Sequence, residues 1–333
     1  MQSRDVHLKS RPHGLPKAEN FEIVTVDVPA PGPGQVQVKN LYMSVDPYMR
    51  GRMMDRESYV PPFKLGETLQ GGAVGEVVAS NAEGFAPGDL VSTMLGWREA
   101  FTAAPAAAAL QKIDPHGLPP QAFLGVAGMP GLTAYVGLLK IAAMKPGDVV
   151  FVSAAAGAVG QIVCQIAKIK GGTVIGSAGG PEKCAYLKEI GVDQVIDYKA
   201  EKDLTKALLA AAPGGIDVYF ENVGGAHLEA ALNAAKPFAR FAFCGMISMY
   251  NDTAPTPGPT NLALIVGKSL RIEGFIVSNH FDMMPGFVAD VAGWIRSGKL
   301  TWRETIDEGV DNAPAAFLKL FTGDNMGKML VKL

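Results

Sequence analysis

Apolar residues recur along this chain with two different rhythms, and the change between them falls near residue 149. Up to about residue 125 the stretches are short and alternating, as in Phe21 to Val28, Gln35 to Lys39 and Gly72 to Val78. Alternation of this kind predicts strands of an antiparallel, barrel-like β domain. Turns between them are marked by Pro-Ala-Pro-Gly-Pro-Gly at 29–34 and by Phe85-Ala86-Pro87-Gly88-Asp89, where Pro and Gly fix φ values that strands cannot use. The alanine-rich stretch Ala103 to Leu110 reads as connecting chain. From Val149 onward, bursts at Val149 to Ser153, Thr173 to Gly176, Gln194 to Asp197, Ile216 to Phe220, Phe238 to Cys244 and Ser269 to Val277 alternate with stretches of helical period. That rhythm predicts a parallel sheet flanked by helices. The first helix puts Val159, Ile162, Val163 and Ile166 on one face, with Gln161, Gln165 and Lys168 expected to face water. Near the end a helix is predicted over Asn312 to Phe321, followed by apolar Met329-Leu330-Val331, a strand able to return to the first domain.

Length and charge narrow the function classes. A chain of 333 residues is long enough for two packed cores. Thirty basic against 32 acidic side chains leave a formal charge of -2, no field for holding nucleic acid or an anionic membrane. No apolar run reaches the roughly 18 residues of a membrane-crossing helix, and Met1 to Pro12 has no signal-peptide core. Cys164, Cys184 and Cys244 form no C-x-x-C pair and read as small buried hydrophobes, which suits a cytoplasmic location. The five histidines, His7, His13, His116, His227 and His280, are scattered and read as surface or capping residues.

The strand Val149 to Ser153 runs into Ala154-Ala155-Ala156-Gly157-Ala158-Val159-Gly160 and then into the amphipathic helix, the context a dinucleotide-binding turn requires. Backbone N–H groups and the positive dipole end of that helix suit a pyrophosphate. Gly157 would admit close approach of the phosphates, and Gly160 close packing of helix on strand. Ala155 replaces the usual first glycine, so the motif is a variant. The second strand ends in Gly176-Ser177-Ala178-Gly179-Gly180, without the carboxylate that binds the ribose hydroxyls of NAD, so NADPH is favoured. Lys183 stands where it can neutralise a 2′-phosphate, and equally where a helix carries a solvated charge.

Six motifs in order resemble one family: Ser44-Val45-Asp46-Pro47-Tyr48-Met49-Arg50, Gly131-Leu132-Thr133-Ala134-Tyr135, Ala154 to Gly160, Glu221-Asn222-Val223-Gly224-Gly225, Cys244 to Asn251, and Gly323-Asp324-Asn325-Met326-Gly327-Lys328. The chain is similar, over nearly its whole length, to zinc-independent medium-chain reductases of the prostaglandin reductase, leukotriene 12-hydroxydehydrogenase and alkenal double-bond reductase group, including bacterial curcumin-reductase-like members. The resemblance implies an α/β protein with a GroES-like β-barrel domain at 1–127, completed by 305–333, and a Rossmann domain at 128–304. It implies NADPH in the cleft between them, reduction of a carbon–carbon double bond conjugated to a carbonyl, and a homodimer. Carried over motif by motif, Gly157, Ala158, Val159 and Gly160 would hold the pyrophosphate, and Lys183 with Tyr198 the 2′-phosphate. Asn222, the loop Cys244, Gly245, Met246, Ile247, Ser248 and Tyr250, the strand Phe275-Ile276-Val277, and Asn325 would surround the rest of the cofactor. Met249 departs from the small or β-branched residue common before that tyrosine.

Zinc-dependent relatives of this plan carry a Cys early in the chain and a Gly-His-Glu further on. Here those stretches read Ser44-Val45-Asp46 and Gly66-Glu67-Thr68, with neither the Cys nor the His of a catalytic zinc site. No metal is expected. Without one, the carbonyl oxygen of an enone needs a hydrogen-bond donor and its α-carbon a proton. Tyr250 is the first candidate and Tyr48 the second, since a phenol donates while neutral at pH 7. Each also reads as an amphipathic wall residue. Quinone reduction and a non-catalytic NADPH-binding redox sensor are the alternatives. The Pro-rich stretch Ala254 to Pro259 reads as a constrained loop that sets substrate size.

Overall fold

The alternating stretches of the first region pair into antiparallel sheets, because each strand buries one face and must be joined to its neighbour by a short turn. The structure is a computed structural model describing residues 1–333. It has two units, Met1–Leu124 with Glu304–Asn325 and Met329–Leu333, and Gly125–Arg303 with Met326–Lys328.

In the first unit β1 (Gln2–Leu8) pairs with β2 (Phe21–Asp27). A larger sheet combines β3 (Val36–Ser44), β4 (Ala73–Ser80), β5 (Leu90–Thr93), β6 (Ala100–Ala103) and β7 (Gln111–Lys112) with strands from the chain end. Ala104 to Leu110 forms the expected irregular connection. Phe21 stacks on Trp97 at 6.2 Å between ring centroids, and Phe317 meets both edge-on. A short helix α1 (Met49–Arg52) contributes Met49 to that core.

In the second unit β8 (Val149–Val152), β9 (Thr173–Ala178), β10 (Gln194–Asp197), β11 (Ile216–Glu221), β12 (Ala235–Phe243) and β13 (Arg271–Gly274) form one sheet, ordered β10-β9-β8-β11-β12-β13. Every pairing in it is parallel. Burial on both faces explains the unbroken runs: Val150, Phe151 and Val152 are fully enclosed, as are Val218, Tyr219 and Phe220. The helices are α2 (Met129–Val136), α3 (Gly160–Ile169), α4 (Pro181–Glu189), α5 (Leu204–Ala211), α6 (Gly225–Ala234), α7 (Ala263–Gly267) and α8 (Met284–Arg296). The second unit is therefore a Rossmann-type parallel sheet, and the first an antiparallel β domain.

The chain end behaves as its apolar pattern predicts. Beyond β14 (Glu304–Glu308) and α9 (Ala313–Thr322), β15 (Lys328–Lys332) returns to the first unit and pairs antiparallel with β3, Leu330 opposite Ser44.

Three expectations need correction. Gln161 and Gln165 do not face water; they are 1% and 4% exposed. The backbone of 301–303 covers them: Gln161 Nε2 donates to Arg303 O at 3.1 Å and its Oε1 accepts from Arg303 N at 2.9 Å, while Gln165 Nε2 donates to Thr301 O at 2.9 Å. Buried amides persist because both ends are satisfied. The last apolar burst is strand only over Arg271–Gly274, so Phe275, Ile276 and Val277 follow the strand instead of forming it. The Phe275 ring packs edge-on against Phe220 at 6.4 Å, and its N–H makes a last bond to Phe243 O of β12 at 3.3 Å before the chain leaves the sheet. His227 is neither surface nor cap: it is buried, its Nε2 2.9 Å from Ser177 Oγ.

Candidate active site

The order of the second sheet reverses between β8 and β11, and in such sheets the crevice beyond the strand C-terminal ends at that point receives ligands. Gly157 to Gly160, Asn222 and the loop after β12 all lie at those ends. The turn after β8 is closed by Gly157 N donating to Ala154 O and Ala155 N donating to Ser177 O, both at 2.9 Å, with Ala154 at φ 47°. The two glycines differ. A Cβ on Gly160 would lie 2.3 Å from Ala154 O and 2.8 Å from Ala155 Cα, so this position brings α3 against its strand. A Cβ on Gly157 would meet only Ala154 O, at 3.1 Å, which leaves its outer side open to a ligand. Ala158 and Val159 complete the approach to the helix N-terminus, where the dipole favours an anion.

A third glycine, unassigned by the motif reading, braces this turn from outside. Gly327 N donates to Ala156 O at 2.8 Å, forming a bridge with Gly157. Gly327 has φ 66°, and a Cβ there would fall 1.8 Å from Arg303 O. Its neighbourhood comes from segments far apart in sequence, so no local spacing announces it.

At the end of β9 the chain passes through Gly179 and Gly180. Asp197 Oδ1 accepts from Gly180 N at 2.9 Å and from Lys199 N at 3.1 Å, so this carboxylate is engaged with backbone. A Cβ on Gly179 would lie 2.9 Å from both Tyr198 OH and Lys199 Cε. Tyr198 thus stands over the glycine pair, together with a lysine that the motif reading missed; the signal was a Tyr-Lys pair directly after a strand. Lys183 lies in the first turn of α4. Beneath Tyr198 the His227 ring sits edge-on at 5.2 Å, and burial holds its pKa down at about 4.

That buried histidine predicts acid sensitivity. Between pH 6.5 and about 4 the unfolded chain binds a proton at His227 that the folded chain refuses, so stability falls as pH drops through that window. The loss is on the order of 3 kcal/mol, complete near pH 4. Urea denaturation between pH 4 and 8 measures it, and His227→Gln should flatten that portion of the curve; an unchanged slope would remove His227 as its cause.

On the other side of the switch point Asn222 Nδ2 donates to Ser153 O at 2.7 Å and Asn222 N to Ser153 Oγ at 2.9 Å. The loop from Cys244 folds onto this turn: Ile247 N donates to Asn222 O at 3.1 Å, and Ser248 N to Val223 O at 3.0 Å. Tyr250 closes the loop on itself, its hydroxyl accepting from Met246 N at 3.4 Å and lying 3.0 Å from where a Cβ on Gly245 would be. Burial pushes the Tyr250 phenol up, so it holds its proton. The Cys244 thiol is pushed up to about 12, by burial first and then by the Glu221 charge, which makes it a packing group and not a nucleophile. Ile276 and Val277 are half-buried.

Tyr48 and Asn325 belong to the first unit. Tyr48 precedes α1 and interacts with the Arg52 guanidinium, which lies 4.0 Å from the Phe63 ring centroid and donates to Pro61 O and Gln70 Oε1. Burial, then the Asp46 carboxylate, pushes its phenol up. At Ser44 the hydroxyl donates to the Asp46 carboxylate. No group of three or more His, Cys, Asp or Glu side chains is placed to hold a metal ion.

Two family models match: the N-terminal domain of oxidoreductase over residues 4–113 and zinc-binding dehydrogenase over residues 158–293. The second description names zinc, but no three His, Cys, Asp or Glu side chains converge in a set that would fit that metal. The chain is 42% identical to the NADPH-dependent curcumin reductase of Escherichia coli, covering 98% of this chain and 95% of that one. It is 44% identical to the NADP-dependent 2-alkenal reductase of Nicotiana tabacum, covering 99% and 97%. The crystal structure of CurA from Vibrio vulnificus in complex with NADPH superposes with a TM-score of 0.94 at 41% identity, covering 99% of this chain and 98% of that one.

Proposed function

The chain belongs to the medium-chain dehydrogenase/reductase family, in the NADP-dependent group of curcumin, alkenal and prostaglandin reductases, and from that membership we propose that it reduces the conjugated double bond of enals or enones with NADPH. The observation that carries this reading is the paired turns at the sheet's switch point. Gly157 to Gly160 offer an anion site, and the facing turn at Asn222 carries a loop with a protonated phenol.

Gly157, Ala158, Val159 and Gly160 would hold the pyrophosphate, Lys183 and Tyr198 the 2′-phosphate, and Asn222 and Cys244 to Tyr250 the nicotinamide half. Phe275 to Val277 and Asn325 join that half in the same reading. The bound nicotinamide supplies a hydride for the β-carbon. Tyr250, its phenol kept protonated by burial until reaction, gives its proton to the α-carbon as negative charge builds on the carbonyl oxygen, and Tyr48 is the second candidate for that donor. Self-association through the open edge at β13, beside exposed Phe238 and Val266, is part of this reading.

NADPH absorbance loss on adding a medium-length alkenal tests the reaction, with a benzoquinone as comparison. Faster turnover of the quinone would favour quinone reduction, and no turnover of either would favour a sensor.

Cofactor choice gives a separate prediction. Lys183→Ala and Lys199→Ala should each raise KM for NADPH about tenfold, the worth of one charge-assisted contact to phosphate, and leave KM for NADH nearly unchanged. Equal losses for the two cofactors would remove the 2′-phosphate assignment.

A further inference from the structure

Burying a carboxyl is costly unless the fold uses it. Glu221, at the last position of β11, is fully enclosed, and nothing in the proposed chemistry calls on it. Four donors converge on one of its oxygens. Oε1 accepts from Val223 N at 2.7 Å, Gly224 N at 2.9 Å, Tyr219 OH at 2.7 Å and Ser153 Oγ at 3.1 Å. The other oxygen, Oε2, is buried without a hydrogen-bond partner. The group is therefore used as a single focal acceptor, not as a general salt-bridge or solvent contact.

Such convergence has a geometric consequence. Two consecutive N–H groups aimed at one oxygen close the chain into a tight turn, with Gly224 at φ 81° and Gly225 at φ 51° leading into α6. Ser153, the fourth donor, also accepts Asn222 N and takes the Asn222 amide on its carbonyl. The backbone oxygen of Glu221 accepts from Cys244 N at 3.0 Å and Gly245 N at 3.1 Å, so the same residue anchors the second loop. That loop then returns through Ile247 N and Ser248 N to the turn.

We propose that Glu221 is a positioning residue for the nicotinamide side of the cofactor site: its carboxyl oxygen sets the 222–225 turn, and through it Asn222 and the 244–250 loop. The proposal rests on the reading of the protein as an NADPH enzyme. Glu221 touches no reactant. It acts by removing alternative conformations from two loops that would otherwise be ordered only on binding.

Glu221→Gln retains shape and one carbonyl oxygen while replacing the carboxyl by an amide, a weaker acceptor, and Ser153→Ala removes one donor and the Asn222 N acceptor. Both variants are titrated, as purified full chains, with NADPH and with adenosine 2′,5′-bisphosphate, which carries the adenosine half alone. Glu221→Gln should weaken NADPH about tenfold, Ser153→Ala about threefold, and neither should change the bisphosphate by more than about twofold, since the contacts that are lost or weakened all lie on the nicotinamide side. Parallel loss of both ligands, or unchanged NADPH affinity, overturns the proposal. If Glu221→Gln does not fold, the same comparison with Ser153→Ala decides. A wild-type protein that binds neither ligand overturns instead the NADPH reading on which the proposal stands.

Discussion

Gly327→Ala is expected to destabilise the protein by about 3 kcal/mol, combining a left-handed backbone for a residue with a side chain and an overpacked contact, and to weaken NADPH binding by at least about tenfold. The reason is local. At φ 66° the new methyl would lie 1.8 Å from Arg303 O, a backbone atom that cannot rotate away. Relief requires the 326–328 segment to lift, and that segment is hydrogen-bonded to Ala156 in the dinucleotide turn. Gly298 provides the control, having φ 69° with open space where its Cβ would be. Gly298→Ala should cost only about 1 kcal/mol, the conformational part alone. Urea denaturation and an NADPH titration measure both variants; equal stability losses would show that the contact with Arg303 is unimportant.

Tyr250→Phe is expected to lower kcat for a simple enone about 10²-fold, in the range of a lost general acid, with NADPH affinity changed little. The hydroxyl is held inside its own loop by Met246 N, and the ring keeps its packing when the oxygen is removed. Because burial pushes this phenol above its ordinary value of 10, the wild-type rate should stay level through mildly alkaline pH and decline only beyond 10. Steady-state kinetics with a solvent-isotope comparison test the assignment. Unchanged turnover and an unchanged isotope effect would move the proton to Tyr48 or to water.

The amino-acid pattern was enough to locate the parallel sheet, because strands such as Val149–Val152 and Ile216–Glu221 are buried on both faces and read as unbroken apolar runs. It was also enough for the turn at Gly157 to Gly160, whose glycines answer to a contact with Ala154 only a few residues away. Tertiary structure alone decided what Gln161 and Gln165 do. Their polarity matched a solvent-facing stripe, yet the groups that satisfy them are backbone atoms at 301–303. Glu221 was visible as part of a motif, while its use became visible only with Ser153 beside it. Lys199 gained meaning from the missing side chain at Gly179, and Gly327 from the carbonyl of Arg303. Local periodicity and short-range sterics are written along the chain itself, whereas hydrogen-bond satisfaction and close approach depend on which distant backbone atoms the fold brings near.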